Sequence, residues 1–333
     1  MPVAEPEVHL MMSSRGQIID FIEQGAIPSD RIADALTAAK AVPDGKAWRA
    51  FIDHLLLWLG GLALACAIVF VVAFNWNEIG RFAKFGVVQL ALVLAVAAYC
   101  KLGAQGVAGK VSLLVATILL GVLLALYGQT HQTGADPWQL SFVWALLMLP
   151  WALVGRFAAI WIVWLTLINL SIGLYHQTFQ GVLPLMLDTD TSLLWLIFLV
   201  NTLALFAWEF LAARWHWLWQ RWAVRLLAVA SGAPITMLVL ESIFSGGGVN
   251  VFPGVAWVIG LAALYFVYRG LRRDLFMLAG GCLSGIVVLT AFLGEQMAIW
   301  EHSVLFLLLS LLVIALASGA AVWLRNIHRE WQS

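Results

Sequence analysis

From about residue 54 onward, long apolar runs alternate with short polar breaks, and ten runs approach the length of a spanning helix. They cover approximately 54–74, 85–102, 111–127, 140–154, 158–175, 192–213, 223–244, 254–268, 275–293 and 303–324. A helix needs ~17–25 such residues to cross the hydrocarbon layer. The fourth and eighth runs are short, and Gly155-Arg156-Phe157 is the narrowest break. Upstream the period changes. Ile18, Ile19 and Ile22 form one apolar face that Gly25 ends, and Pro28-Ser29-Asp30 opens a second segment with Ile32, Leu36 and Ala39 at helical spacing. Helices this short are marginal alone in water, so they must pack on each other, on the membrane domain or on a partner. Val42-Pro43-Asp44-Gly45 breaks this region, and Lys46, Trp48 and Arg49 mark the approach to the first span.

The pattern predicts an all-α fold: a polytopic α-helical membrane protein of about ten transmembrane helices with a small N-terminal helical cytoplasmic region. The expected divisions are a disordered tail over 1–13, a cytoplasmic helical region over 14–49, a transmembrane domain over 50–325 and a cytoplasmic tail over 326–333. Composition agrees. Of 333 residues, 63% are hydrophobic and 11% charged, with a mean hydropathy of +0.94. A soluble domain has roughly 45–50% apolar and about 25% charged residues. Eighteen Lys and Arg balance eighteen Asp and Glu, which removes any general affinity for nucleic acid. The first apolar run starts near His54, too deep for a signal peptide, and reads as an uncleaved anchor. Cys66, Cys100 and Cys282 lie in apolar stretches without a CxxC neighbour, so they read as buried packing residues rather than a disulfide framework or zinc site.

Cation placement predicts orientation. With the N-terminus inside, the cytoplasmic segments hold Arg15, Arg31, Lys40, Lys46, Arg49, Lys101, Lys110, Arg156, Arg214, Arg221, Arg225, Arg269, Arg272, Arg273, Arg325 and Arg329, 16 of the 18 cations, and leave Arg81 and Lys84 outside. That bias places both termini in the cytoplasm. Tryptophan, at 18 residues, concentrates at the expected interfaces: Trp76, Trp138 and Trp300 at outer ends, Trp48, Trp323 and Trp331 at inner ends. The segment Arg214-Trp215-His216-Trp217-Leu218-Trp219-Gln220-Arg221-Trp222 has base-stacking and phosphate-binding residue types, but between two spans it reads as a membrane-surface anchor.

Candidate chemistry inside the spans is sparse. Asp53 and His54 fall at the mouth of the first span, Glu209 near the inner end of the sixth and Glu241 near the outer end of the seventh, with no carboxylate, Lys or Arg near a span centre. Ion-coupled transporters carry such groups, so this weighs against one. Gln89, Asn169 and Asn201 read as buried interhelical amides, Pro150 and Pro234 as tolerated kinks, and Gly281 with Gly285 as a close-approach GxxxG. No GxSxG, Walker or dinucleotide fingerprint occurs, and Gly246-Gly247-Gly248 lacks the lysine of a phosphate loop.

The outer face is richer. The turn Tyr127-Gly128-Gln129-Thr130-His131-Gln132-Thr133-Gly134-Ala135-Asp136-Pro137-Trp138 offers two glycines for tight turning, Asp136-Pro137 as a helix cap and first-turn pair, and Trp138 to seat the helix end. Its Gln, Thr and His groups exceed what capping requires. In the first outer turn, Asn75 and Trp76 precede Asn77, a potential cap, and Glu78 can pair with Arg81 at i,i+3 spacing. Lipid phosphates are the simplest partners of Arg81 and Lys84. His131, His176 and His302 share the outer side with Asp136, Asp188, Asp190, Glu295 and Glu301, yet no ligand spacing joins them, so no metal and no cofactor is assigned.

The N-terminal helical region leading into a span that ends Ala73-Phe74-Asn75-Trp76, together with Gly128-Gln129-Thr130-His131-Gln132-Thr133-Gly134-Ala135-Asp136-Pro137-Trp138 running into Trp144 and Pro150, resembles a family of bacterial predicted membrane proteins classed as a domain of unknown function. The likeness is best over about residues 14–175. Family sequences often carry Tyr where this chain has His131, which argues against a histidine-based mechanism. The resemblance implies a bacterial inner (plasma) membrane location. It also implies a second polytopic membrane protein and a small exported protein with a GDYxxLxY motif as partners in an envelope complex.

These readings favour a non-enzymatic component of such a complex, in contact with the lipid bilayer. The candidate outer-face contact residues are Asn75, Trp76, Gln129, Thr130, His131, Gln132, Thr133, Gly134, Asp136 and Trp138. A permease for a neutral or lipidic solute is the alternative. An intramembrane transferase or hydrolase acting at the outer face through Asp136 or the acidic loops is the second alternative. No catalytic residue is assigned.

Overall fold

The structure, a computed structural model, describes residues 21–22, 27–32, 34, 36, 45–74, 78, 80–179, 189–245, 251–296 and 302–331. The chain divides into two compact units, Met1–Leu64 and Ala65–Trp331. In the first, Ile22, Ile32 and Leu36 are helical and a 3-10 turn spans Ser29–Arg31, closed by the Arg31 N–H donating to the Pro28 carbonyl at 2.9 Å. Ile18, Ile19, Gly25 and Ala39 lie outside the described residues. Helix α1, Gly45–Phe74, begins in this unit and runs into the second. Its start is nine residues before the predicted apolar run, because Gly45–Asp53, which carries Lys46, Arg49 and Asp53 among apolar residues, is already helical.

The second unit contains α2 (Arg81–Leu102), α3 (Val107–His131), α4 (Pro137–Gly155), α5 (Ala158–Phe179), α6 (Thr189–Ala212), α7 (Arg221–Phe244), α8 (Val251–Phe266), α9 (Leu275–Gln296) and α10 (His302–Glu330). Among the described residues the fold is all-α, and ten helices are long and apolar enough to cross a membrane. The break at Arg156 is real: this residue takes φ +49°, and its N–H donates to Ala152. A π-helical turn over Val267–Leu271 extends the eighth span, which resolves its apparent shortness.

Helices adjacent in sequence pack as pairs: α2 on α3, α4 on α5, and α6 on α7. Helix α7 is the hub, since it also meets α8 and α9. Its face Ala223, Val224, Leu227, Ser231, Ile235 and Leu238 is buried at near-helical intervals. Lipid offers no hydrophobic gain to helix association, so close packing and interhelical hydrogen bonds must supply it. Both are visible. Gly121 receives the Trp144 ring so closely that a Cβ would overlap it, and the Trp144 indole donates to the Thr117 carbonyl at 2.9 Å. Trp164 donates to Ala145 at 3.0 Å, tying α5 to α4.

Asn169 and Asn201 exchange reciprocal amide hydrogen bonds of 2.7 and 3.2 Å between α5 and α6, as expected for an interhelical role. Thr202 and Ser231 meet at 2.5 Å, while Ser284 bridges Thr236 at 2.7 Å and the Trp257 indole at 2.8 Å.

Several expectations change. Gln89 is exposed on α2 rather than buried, because its position faces away from the Lys84–Val88 contact side. Cys66 and Cys100 are exposed on their helices and Cys282 is half-buried, with all three unpaired, so only the last has any packing role. Of the GxxxG pair, only Gly281 is a close approach, with Leu264 3.2 Å from where a Cβ would be; Gly285 faces open space.

Candidate functional site

The turn between α3 and α4 is more ordered than its composition suggests. Helix α3 continues through Gln129, Thr130 and His131 instead of ending near residue 127. Two features extend it. The His131 ring stacks on Tyr127 one turn earlier at 4.5 Å, with Nδ1 3.2 Å from the Tyr127 carbonyl. The N–H groups of Gln132 and Thr133 both reach the Gly128 carbonyl, closing the helix end. Gln132 then adopts a left-handed φ of +47° and Gly134 a φ of +65°, so the chain reverses within a few residues.

Asp136 occupies the N-cap position of α4, with Pro137 in the first turn, but its side chain makes no capping hydrogen bond. This corrects the expected cap: the Asp136 carbonyl, accepting from Gln139 at 3.0 Å, starts the helix instead. Trp138 seats the helix end as predicted, its ring 5.1 Å from Tyr175 and 6.5 Å from both Phe142 and Phe179. Its carbonyl accepts from the Ser171 hydroxyl at 3.2 Å.

The turn therefore presents Gln129, Gln132 and Thr133 as exposed side chains without hydrogen bonds among the described residues, while the Thr130 hydroxyl and the Trp138 indole N–H are buried without a partner. Asn75 and Trp76 lie outside the described residues. His131 and Asp136 are not brought together with a third ligand, and no group of three metal-ligating side chains occurs among the described residues.

A second polar constellation occupies the opposite end of the bundle, where α6, α7, α8 and α9 meet. Arg221 and Arg225, four residues apart on α7, share one face. Asp274 lies immediately before α9, with its side chain only 2% exposed. Arg221 Nη2 donates to its Oδ2 at 3.0 Å, and Arg225 grips both oxygens through Nη2 and Nε at 3.2 and 3.3 Å. The Phe276 N–H donates to Oδ1 at 3.0 Å, so the same carboxylate caps α9. Glu209, on the last turn of α6, pairs with Arg272 at 2.8 Å and Arg221 at 3.4 Å.

The π turn shapes this cluster. Its wide bond from the Arg272 N–H to the Val267 carbonyl, 2.9 Å, places the Tyr268 hydroxyl 3.0 Å from Glu209 Oε1. Arg272 Nη2 also donates to the Glu209 backbone carbonyl at 3.1 Å. Arg221 therefore links two carboxylates, and one ion-pair network joins four helices.

The aromatic segment beside it is more than a surface anchor. Trp217 packs against Trp161 at 6.3 Å, Trp208 at 6.2 Å and Trp215 at 6.1 Å. Leu218 is buried, and its carbonyl accepts from the Trp208 indole at 3.0 Å. Trp215, Trp219 and Trp222 remain exposed, as interfacial rings would.

Residues 20–161 match the family described as predicted membrane protein, DUF2157. The chain carries a DUF2157 region. The match bears out the family resemblance over that region, the family has no assigned function, and the ten apolar helices among the described residues make the protein a multi-pass membrane protein. No curated protein and no solved structure matches the chain. The α3–α4 turn lies within the DUF2157 region, whereas Glu209, Arg221, Arg225, Arg272 and Asp274 lie beyond it. Sequence reading noted Glu209 and counted these arginines for orientation but missed their convergence with Asp274. The available signal was two carboxylates placed among the cations of neighbouring span ends.

Proposed function

We propose that the protein is a non-enzymatic component of a bacterial plasma-membrane envelope complex, and that the turn between α3 and α4 contacts its partner. The observation that carries this reading is the combination of a fixed backbone with uncommitted side chains. Gln132 and Gly134 hold left-handed conformations, while Gln129 and Gln132 project exposed amides that make no hydrogen bond among the described residues. An ordered turn loses little conformational entropy on docking. The family resemblance supplies the partner classes, a second polytopic membrane protein and a small exported protein.

The permease alternative draws less support, because the interhelical polar groups on α5–α9 are committed to one another: Asn169 with Asn201, Thr202 with Ser231, and Thr236 and Trp257 with Ser284. The outer-face enzyme alternative places its chemistry on Asp136 or the acidic loops; among the described residues Asp136 has no hydrogen-bonded base or nucleophile beside it, and Asp188 and Glu301 lie outside the described residues.

The orientation belongs to the same proposal: both termini cytoplasmic and the α3–α4 turn outside, from the distribution of cations. Reporter fusions after Trp138 read as exported and those after Arg221 and Arg273 as cytoplasmic; a cytoplasmic signal at Trp138 contradicts it. A photoreactive residue replacing Gln132 should form a discrete adduct with a second envelope protein in cells, while the same residue at Leu203, 67% exposed on α6, should not. Failure of Gln132 to give any adduct beyond the Leu203 background contradicts partner contact at the turn.

A further inference from the structure

A cleft of about 240 Å³ opens beside the ion-pair network, lined by Ala212, Leu218, Trp219, Arg221, Val224 and Arg272. We propose that this cleft binds a phosphate group, with the guanidinium groups of Arg221 and Arg272 as its ligands and Trp219 and the aliphatic wall holding the organic part of a lipid headgroup or of a soluble phosphate.

The donor geometry supports this. Each arginine has five N–H donors. Arg221 uses Nη1 towards Glu209 and Nη2 towards Asp274, and Arg272 uses Nη1 and Nη2 on the Glu209 carboxylate and backbone carbonyl. Among the described residues, Nε and further N–H groups remain without a partner on both. The carboxylates thus fix the two planar forks without consuming them, and 34% and 36% of these side chains stay accessible. Such preorganised forks match the oxygens of a phosphate.

Charge points the same way. Arg221, Arg225 and Arg272 face Glu209 and Asp274, three positive groups against two negative, and leave one net positive charge. The walls are mixed: Ala212, Leu218 and Val224 are apolar and buried, while the Trp219 ring is 60% exposed at the rim. The Trp219 indole donates to the Ala212 carbonyl at 2.6 Å, which fixes the ring at the cleft mouth. The volume is below the roughly 300–1,000 Å³ of clefts for drug-sized molecules and suits a small headgroup. Basic pockets between span ends are established locations for anionic lipid headgroups.

The test uses the full chain purified in a neutral detergent, with thermal unfolding and native mass spectrometry as readouts. Dilute phosphatidylglycerol should raise the unfolding temperature and give a bound-lipid mass. Inorganic phosphate, tested alone and as a competitor, identifies a soluble source if it stabilises the protein at millimolar concentration and displaces the lipid. Arg272→Gln should weaken binding roughly tenfold or more, the loss expected when a charged hydrogen-bond partner is removed. Arg272→Lys should recover part of it.

Arg225→Gln controls for mere weakening of the network. It removes an Asp274 partner that does not line the cleft, so it should lower the ligand-free unfolding temperature while retaining the ligand-induced rise. Stabilisation by neither phosphatidylglycerol nor phosphate overturns the proposal. So does an undiminished ligand effect in folded Arg272→Gln protein, or equal losses of binding in Arg272→Gln and Arg225→Gln.

Discussion

Replacing Asp274 with alanine removes, in one step, the ion-pair contact between α7 and the start of α9. The carboxylate is 2% exposed and accepts from Arg221, from two donors of Arg225 and from the Phe276 backbone. Breaking a fully buried ion pair from one side costs about 3–5 kcal/mol. Here the stranded arginines are 34% and 44% exposed, so water and headgroups recover part of the loss, which brings the cost to about 2–4 kcal/mol. Within that total, loss of the α9 cap accounts for about 0.5–2 kcal/mol. Asp274→Asn separates the two contributions, because the amide oxygen still caps while the charge is lost. It should therefore destabilise less than Asp274→Ala.

Equilibrium unfolding in mixed micelles, followed by helicity against denaturing-detergent fraction, gives both values. Combining Asp274→Asn with Arg225→Gln should be less destabilising than the sum, with a coupling of about 0.5–3 kcal/mol. Wild-type stability in Asp274→Ala, or strict additivity in the double variant, would refute the reasoning.

Gly134→Val should cost about 1–3 kcal/mol and lower protein abundance, because a β-branched residue is strained at φ +65°. Gly134→Asn should be milder, since space there is open and only the backbone conformation is demanding. Equal levels of Gly134→Val and wild type contradict this. Gly121→Ala drives a Cβ into the Trp144 ring and should destabilise the α3–α4 pair by about 1–3 kcal/mol, read as earlier unfolding of the purified protein. Trp217→Ser should lower the unfolding temperature more than Trp219→Ser, because Trp217 packs among Trp161, Trp208 and Trp215 while Trp219 is 60% exposed. The reverse order would return the whole segment to an interfacial anchor.

The spans were legible because their signal is local: a run of apolar side chains of sufficient length identifies each helix without its neighbours. Helix ends were less legible. His131 remains in α3 through its stack on Tyr127 and the Gly128 carbonyl closure, which depend on three-dimensional contacts rather than hydropathy. Which face of a spanning helix turns inward was also hidden, since both faces are apolar. Gln89 was assigned to the interior for its polarity and is exposed, whereas Asn169 and Asn201 find each other across 32 residues. The network of Glu209 and Asp274 joins residues 65 positions apart. Its arginines were visible only as cations near the membrane, because a charge count orients the chain without revealing pair geometry.

The most direct test of the proposed contact surface is Gln129→Ala combined with Gln132→Ala, with abundance, insertion and co-purification of a crosslink-identified partner measured in the same cells. Neither amide makes a hydrogen bond among the described residues, so the variant should accumulate and insert as wild type while losing most of the partner. Full retention of the partner at wild-type abundance would contradict the account and reduce the turn to architecture.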